Sequence, residues 1–182
     1  FGGTRRALPL VFIDGSLLDS KLPKGCHALG WAFAIVNDDG DLIGSAYGVP
    51  PEWVDTIQGV ELWAVQMAMM HALFPKRLWT DCDSVRLGLG KPMSWAGSAK
   101  RRFARIWSVV KAQVEEQVDL VQWMPAHTAE SAVGHALSST GVPVTEIMWC
   151  ANQVCDLLAK EAALYVSVSS CTRSSSRADT SK

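Results

Sequence analysis

Two short apolar runs, Leu8 to Asp14 (LPLVFID) and Arg77 to Cys82 (RLWTDC), read as buried strands, and each carries an aspartate near its carboxyl end. Carboxylates are rarely buried without a partner, so a fold that accepts both runs must also engage Asp14 and Asp81. Taken singly, each aspartate is better explained as a turn former or a helix cap than as a ligand. The elements around them decide whether the two meet.

Gly30 to Val36 and Asp41 to Val49 read as strands joined through Asn37-Asp38-Asp39-Gly40, where Asp-Gly supplies the hairpin turn. With the first run, closed by a polar turn at Gly15-Ser16, they make an antiparallel meander. Thr56 to Leu73 has Leu62, Val65, Met69 and Ala72 at helical spacing, and Pro75 stops it. After the strand of Asp81 come a helix over Ser98 to Gln117, with Phe103, Ile106, Val110 and Val114 on one face, and a strand over Asp119 to Met124. A last helix covers Asn152 to Tyr165.

This order predicts an α/β fold with a mixed five-stranded sheet flanked by helices: strands one to three antiparallel, strands four and five parallel to strand one. Strand four then lies beside strand one, and Asp14 and Asp81 share the carboxyl edge, where open α/β sheets build their sites. Residues 128–150 read as an irregular insertion with a short helix over Ala129 to Leu137. Residues 1–166 form one domain, and residues 167–182, rich in Ser, Thr and Arg, read as a disordered tail.

The 182 residues, 48% hydrophobic with eight tryptophans, suit one globular domain. A formal net charge of −1 argues against holding nucleic acid by diffuse electrostatics, so any such contact is local. Five cysteines without a CxxC pair suggest neither a disulfide framework nor a zinc site, and favour a reducing, intracellular setting. There is no long uninterrupted apolar stretch and no secretory leader pattern. A start at Phe1 is expected of a processed product or a piece excised from a longer chain. The glycine-rich phosphate-binding motifs are absent, which removes support for a nucleotide-binding regulatory domain.

Two further carboxylates stand on helices: Glu61 near the start of the first, and Asp156 in the first turn of the last. The positive end of the helix dipole explains either one alone. Four carboxylates from four elements would repel one another unless cations neutralised them, and hard oxygen donors without Cys or paired His favour Mg²⁺ or Mn²⁺. Such a site suits two ions and phosphodiester hydrolysis by in-line displacement. His127, in the loop after the strand ending at Met124, is placed to shuttle protons and is equally well read as a surface histidine. Lys100, Arg101, Arg102, Arg105 and Lys111 are either a grip on nucleic acid or a solvated helix face.

Four blocks carry a resemblance: Phe12-Ile13-Asp14-Gly15-Ser16, Val60-Glu61-Leu62-Trp63-Ala64, Trp79-Thr80-Asp81-Cys82-Asp83-Ser84, and Asn152 through Ala159 (NQVCDLLA). In this order they resemble the type 1 ribonuclease H family, including the domain carried by retroelement reverse transcriptases, over Leu8 to about Leu164. The resemblance implies an endoribonuclease that cuts the RNA strand of RNA–DNA hybrids, with Asp14, Glu61, Asp81 and Asp156 as ligands of two Mg²⁺ ions, replaceable by Mn²⁺. It implies that His127 assists proton transfer or product release. Gly15, Ser16, Thr56, Gln58 and Asn152 would contact substrate, the two amides at ribose 2′-hydroxyls or base edges and Thr56 at a DNA-strand phosphate. A monomer, with an attached polymerase domain in a longer chain, completes the expectation.

The sequence departs from the family between His127 and Asn152, which is long, and between Asp81 and the second helix, which leaves little room for an extra helix and basic protrusion. Two other readings fit the residues: an integrase-like or resolvase-like enzyme of the same fold, and a catalytically silent binding or scaffold module. Gln58 and Asn152 favour the hybrid reading over the first, and the intact carboxylate set favours it over the second.

Overall fold

A computed structural model describes residues 9–18, 27–72, 77–114, 120–126 and 128–178, and describes side chains up to residue 165 in the last helix. The elements run β1 (Leu10–Leu18), β2 (Ala28–Val36), β3 (Leu42–Gly48), α1 (Ile57–His71), β4 (Leu78–Thr80), α2 (Asp83–Leu89), α3 (Met93–Ala96), α4 (Ala104–Val114), β5 (Val121–Trp123) and α5 (Glu146–Ala178). The five strands form one sheet in the order β3-β2-β1-β4-β5. β1 pairs antiparallel with β2, β2 antiparallel with β3, β1 parallel with β4, and β4 parallel with β5. This is the predicted mixed sheet.

Alternation along β1 serves both faces of the sheet. Val11 and Ile13 join a core with Leu62, Val65, Ile106 and Val110 from α1 and α4, whereas Phe12 packs with Ala32, Trp79, Met148 and Ala159 beneath α5. Gly40, at φ +88°, makes the β2–β3 turn, and Asn37 Oδ1 accepts from the N–H groups of Asp39 and Asp41.

Several boundaries differ from the sequence reading. No turn breaks β1 at Gly15-Ser16; the strand continues to Leu18 because β2 extends back to Ala28 and pairs with it throughout. The segment after Asp81 holds two helices, α2 and α3, where little room was expected: Gly88 lets α2 lie against Trp107, whose ring would sit 2.3 Å from a Cβ there. α4 begins at Ala104 rather than Ser98, since Phe103 takes φ +60° and cannot be helical. Residues 128–150 contain a 3-10 turn at Glu130–Ala132 in place of a helix to Leu137. α5 starts at Glu146, where the Thr145 hydroxyl accepts from the Met148 N–H, and its backbone stays helical through Ala178, inside the stretch read as a disordered tail. Leu8, Leu73, Pro75, Gln117, Asp119 and His127 lie outside the described residues.

Candidate metal centre

Asp14 sits in the central strand β1, 4% exposed, and its Oδ1 accepts from the Gly15 N–H at 2.9 Å. Glu61, also 4% exposed, is brought to it by packing without a side chain in between: a Cβ on Gly15 would stand 2.6 Å from Val60 Cγ1 and 2.9 Å from the Glu61 nitrogen. Gly15 therefore lets the first turns of α1 rest on β1. The α1 entry is fixed by Thr56, whose hydroxyl accepts from the Gly59 N–H at 3.2 Å. Glu61 lies beyond the first turn, which holds no acidic residue, so helix-end placement does not account for it.

Asp81 follows β4 directly, and the parallel pairing of Ile13 with Thr80 sets it beside Asp14 at the carboxyl edge. Trp123 of β5 pins this loop by donating Nε1–H to the Asp81 carbonyl at 2.9 Å. Ligating oxygens of Asp14, Glu61 and Asp81 all lie within 4.8 Å of one another. Burial, then the charges of Asp81 and Asp156, push the Asp14 carboxyl up to about 8. Burial and the charges of Asp14 and Asp81 push Glu61 well above the usual range, and the Gly15 N–H opposes the rise at both. Glu61 Oε2 is buried without a hydrogen-bond partner. An orphaned carboxylate oxygen inside a cluster of hard donors fits a divalent cation of the Mg²⁺ or Mn²⁺ type.

α5 brings Asp156 to the same edge. A Cβ on Gly30 of β2 would fall 2.0 Å from the Ala159 carbonyl, so the helix crosses the sheet at backbone contact. The buried Cys155 thiol donates to the Phe12 carbonyl at 3.5 Å. Asp156 lies well inside α5 rather than in its first turn, and its Oδ2 accepts from Lys160 Nζ at 2.6 Å. It is not part of the convergent trio. Asn152, one turn earlier, is buried with Oδ1 unpartnered.

Of the remaining substrate candidates, Ser16 is buried in β1, and Gln58 is exposed with its Nε2 donating to Ser84 Oγ at 3.0 Å. Gln58 and Ser84 line a cavity of about 260 Å³ with Trp95, Arg101, Arg102 and Phe103. The five basic residues read together from the sequence separate here. Arg101 stacks on the Trp95 ring at 3.4 Å, Arg102 pairs with Asp55, Lys111 donates to the Leu89 carbonyl, and Lys100 and Arg105 are exposed. The sequence reading missed Ser84, the aromatic wall and Lys160. Only Lys160 had a signal, its spacing of four residues from Asp156 on one helix.

No family model matches the sequence, and no curated protein matches it. Solved structures do. The foamy viral protease-reverse transcriptase in complex with an RNA/DNA hybrid superposes with a TM-score of 0.63 at 15% identity, over 87% of this chain and 20% of that one. The chain thus spans about a fifth of that protein. The ribonuclease H domain of the prototype foamy virus gives 0.59 at 16% identity over 86% and 94%, and LC11-RNase H1 with an RNA/DNA hybrid gives 0.53 at 11% over 87% and 98%. At these identities the likeness establishes the ribonuclease H-like fold. Among the described residues no helix is long and apolar enough to cross a membrane.

Proposed function

We propose that this chain is a divalent-metal-dependent endoribonuclease that hydrolyses the RNA strand of RNA–DNA hybrids. The observation that carries it is the convergence of Asp14, Glu61 and Asp81 within 4.8 Å on a ribonuclease H-like sheet. Asp156, with Asn152 one turn before it on α5, completes the set for two ions, Mg²⁺ or Mn²⁺. Ions held there would supply an activated water and stabilise the negative charge that builds up in an in-line displacement at phosphorus.

The protein's own groups do the rest. Asp14 and Glu61 would hold the ions through their carboxylate oxygens, and Gly15 orients the Asp14 carboxylate through its N–H. Asn152 Oδ1, buried and unpartnered, accepts from a ribose 2′-hydroxyl, and Gln58 offers a second amide to the minor groove. Ser16 lies two residues from Asp14 along the same strand, close to the cut strand. Thr56 Oγ uses a lone pair on Gly59 and keeps its proton for a DNA-strand phosphate. Arg101, Arg102 and the adjoining aromatic wall add a local grip that a net charge of −1 does not supply. His127 carries protons to the leaving group.

In this reading residues 1–166 are the catalytic domain of a monomeric, intracellular protein of retroelement origin, with a polymerase domain in the same longer chain. The fold likeness to a protease-reverse transcriptase supports that origin. The test is cleavage of an RNA–DNA hybrid, duplex RNA and duplex DNA of one sequence, with Mg²⁺, with Mn²⁺ and with chelator. Metal-dependent loss of only the hybrid's RNA strand is expected. Cutting of duplex DNA would transfer the chain to the integrase-like or resolvase-like reading, and no cutting under any condition would leave a silent module.

A further inference from the structure

Three carboxylates converge and the fourth is held aside. Asp14, Glu61 and Asp81 place ligating oxygens within 4.8 Å of one another, while Asp156 Oδ2 is 2.6 Å from Lys160 Nζ. The pair is unequal: the Asp156 side chain is 13% exposed and that of Lys160 45%. Asp156 is therefore fixed against the site, where its charge is felt by Asp14, and Lys160 is the partner that can leave for water. Since both stand on α5 four residues apart, the ammonium never moves far from the carboxylate.

We propose that Lys160 sets the order in which this site fills: one divalent ion enters among Asp14, Glu61 and Asp81, and Asp156 helps hold a second only when the Lys160 ammonium releases it. This rests on the metal-centre reading above. The ammonium acts twice against the second ion, by occupying a ligand oxygen and by placing a positive charge close to a dication. It also keeps the carboxylate oriented until then. Lys160 is thus a positioning residue. Coulomb repulsion of a dication at this range, reduced by the solvent screening of a half-exposed lysine, corresponds to about tenfold in affinity.

The test is calorimetric titration of Mn²⁺ into the metal-free full chain, as wild type, Lys160→Gln and Lys160→Arg. Wild type should show a stronger and a weaker step; Lys160→Gln should tighten the weaker step about tenfold and leave the stronger one unchanged. Lys160→Arg keeps the charge and should restore the wild-type curve. An unchanged weaker step in Lys160→Gln, or an arginine variant that behaves like glutamine, overturns the proposal while the first step remains. Absence of Mn²⁺ heat in all three chains overturns the metal-centre reading itself, and a single step in all three removes Asp156 from the ligands.

Discussion

Replacing Asp14 by Asn should make the metal-free protein more stable. The Asp14 carboxyl sits at about 8 in the folded chain against an ordinary 3.8, so at pH 7 the folded form keeps a proton that the unfolded form has lost. A difference of about 3 pH units at 1.36 kcal/mol each makes this burial cost on the order of 4 kcal/mol. Asn removes that cost and can still accept from the Gly15 N–H, but it brings a buried amide N–H₂ whose loss of water costs roughly 1–2 kcal/mol. A net gain of about 2–3 kcal/mol corresponds to roughly 5–10 °C in Tm for a domain of this size.

The pH dependence has a definite sign. Because the folded value is raised, the group's contribution to wild-type stability is fully present below the unfolded value of 3.8 and is lost as pH climbs toward about 8. The loss runs at roughly 1.4 kcal/mol per pH unit. Calorimetric melts in chelator should therefore show Asp14→Asn well above wild type at pH 7 and slightly below it near pH 4, where only the amide cost remains. Saturating Mn²⁺ should reverse the order at pH 7, since wild type gains an ion. An Asn variant that melts at or below wild type at pH 7 in chelator, or one whose gain is the same at both pH values, would refute the reasoning.

Asp81→Asn should abolish hybrid cleavage with an unchanged far-ultraviolet circular dichroism spectrum; residual cutting above one part in a thousand would remove Asp81 from the ligands. Gly30→Ala puts a methyl into the α5 backbone and should cost at least about 1–3 kcal/mol, read as a fall in Tm. Arg101→Ala should raise KM several-fold with little change in kcat and lessen the salt dependence of binding, whereas a matched fall in kcat would place it with the chemistry. His127→Ala should slow turnover about tenfold or more without stopping it, and unaltered steady-state rates would leave His127 as a loop residue.

The strand order and the carboxyl-edge meeting of Asp14 and Asp81 were legible because apolar runs, turn signals and one parallel pairing leave few topologies open. Glu61 was legible only as a residue on the right helix; that it reaches Asp14 depends on Gly15, whose missing Cβ has no periodic signature. The start of α5 was hidden because Thr145 caps it within a stretch that reads as loop. Phe103 was assigned to a helix face by spacing, but its φ of +60° stops the helix short, a choice made by tertiary packing against Gly59. The split of the basic residues into stacked, paired and exposed groups depends on α2 and α3, which periodicity over so few residues does not announce.

The four carboxylates come from β1, α1, the end of β4 and α5, and α5 is the last element of the fold. While a ribosome is still extending this chain, the trio's elements can already associate, but the sheet face bearing Phe12 and Trp79 stays uncovered and the fourth carboxylate is missing. The site is therefore not whole until α5 has docked on the sheet.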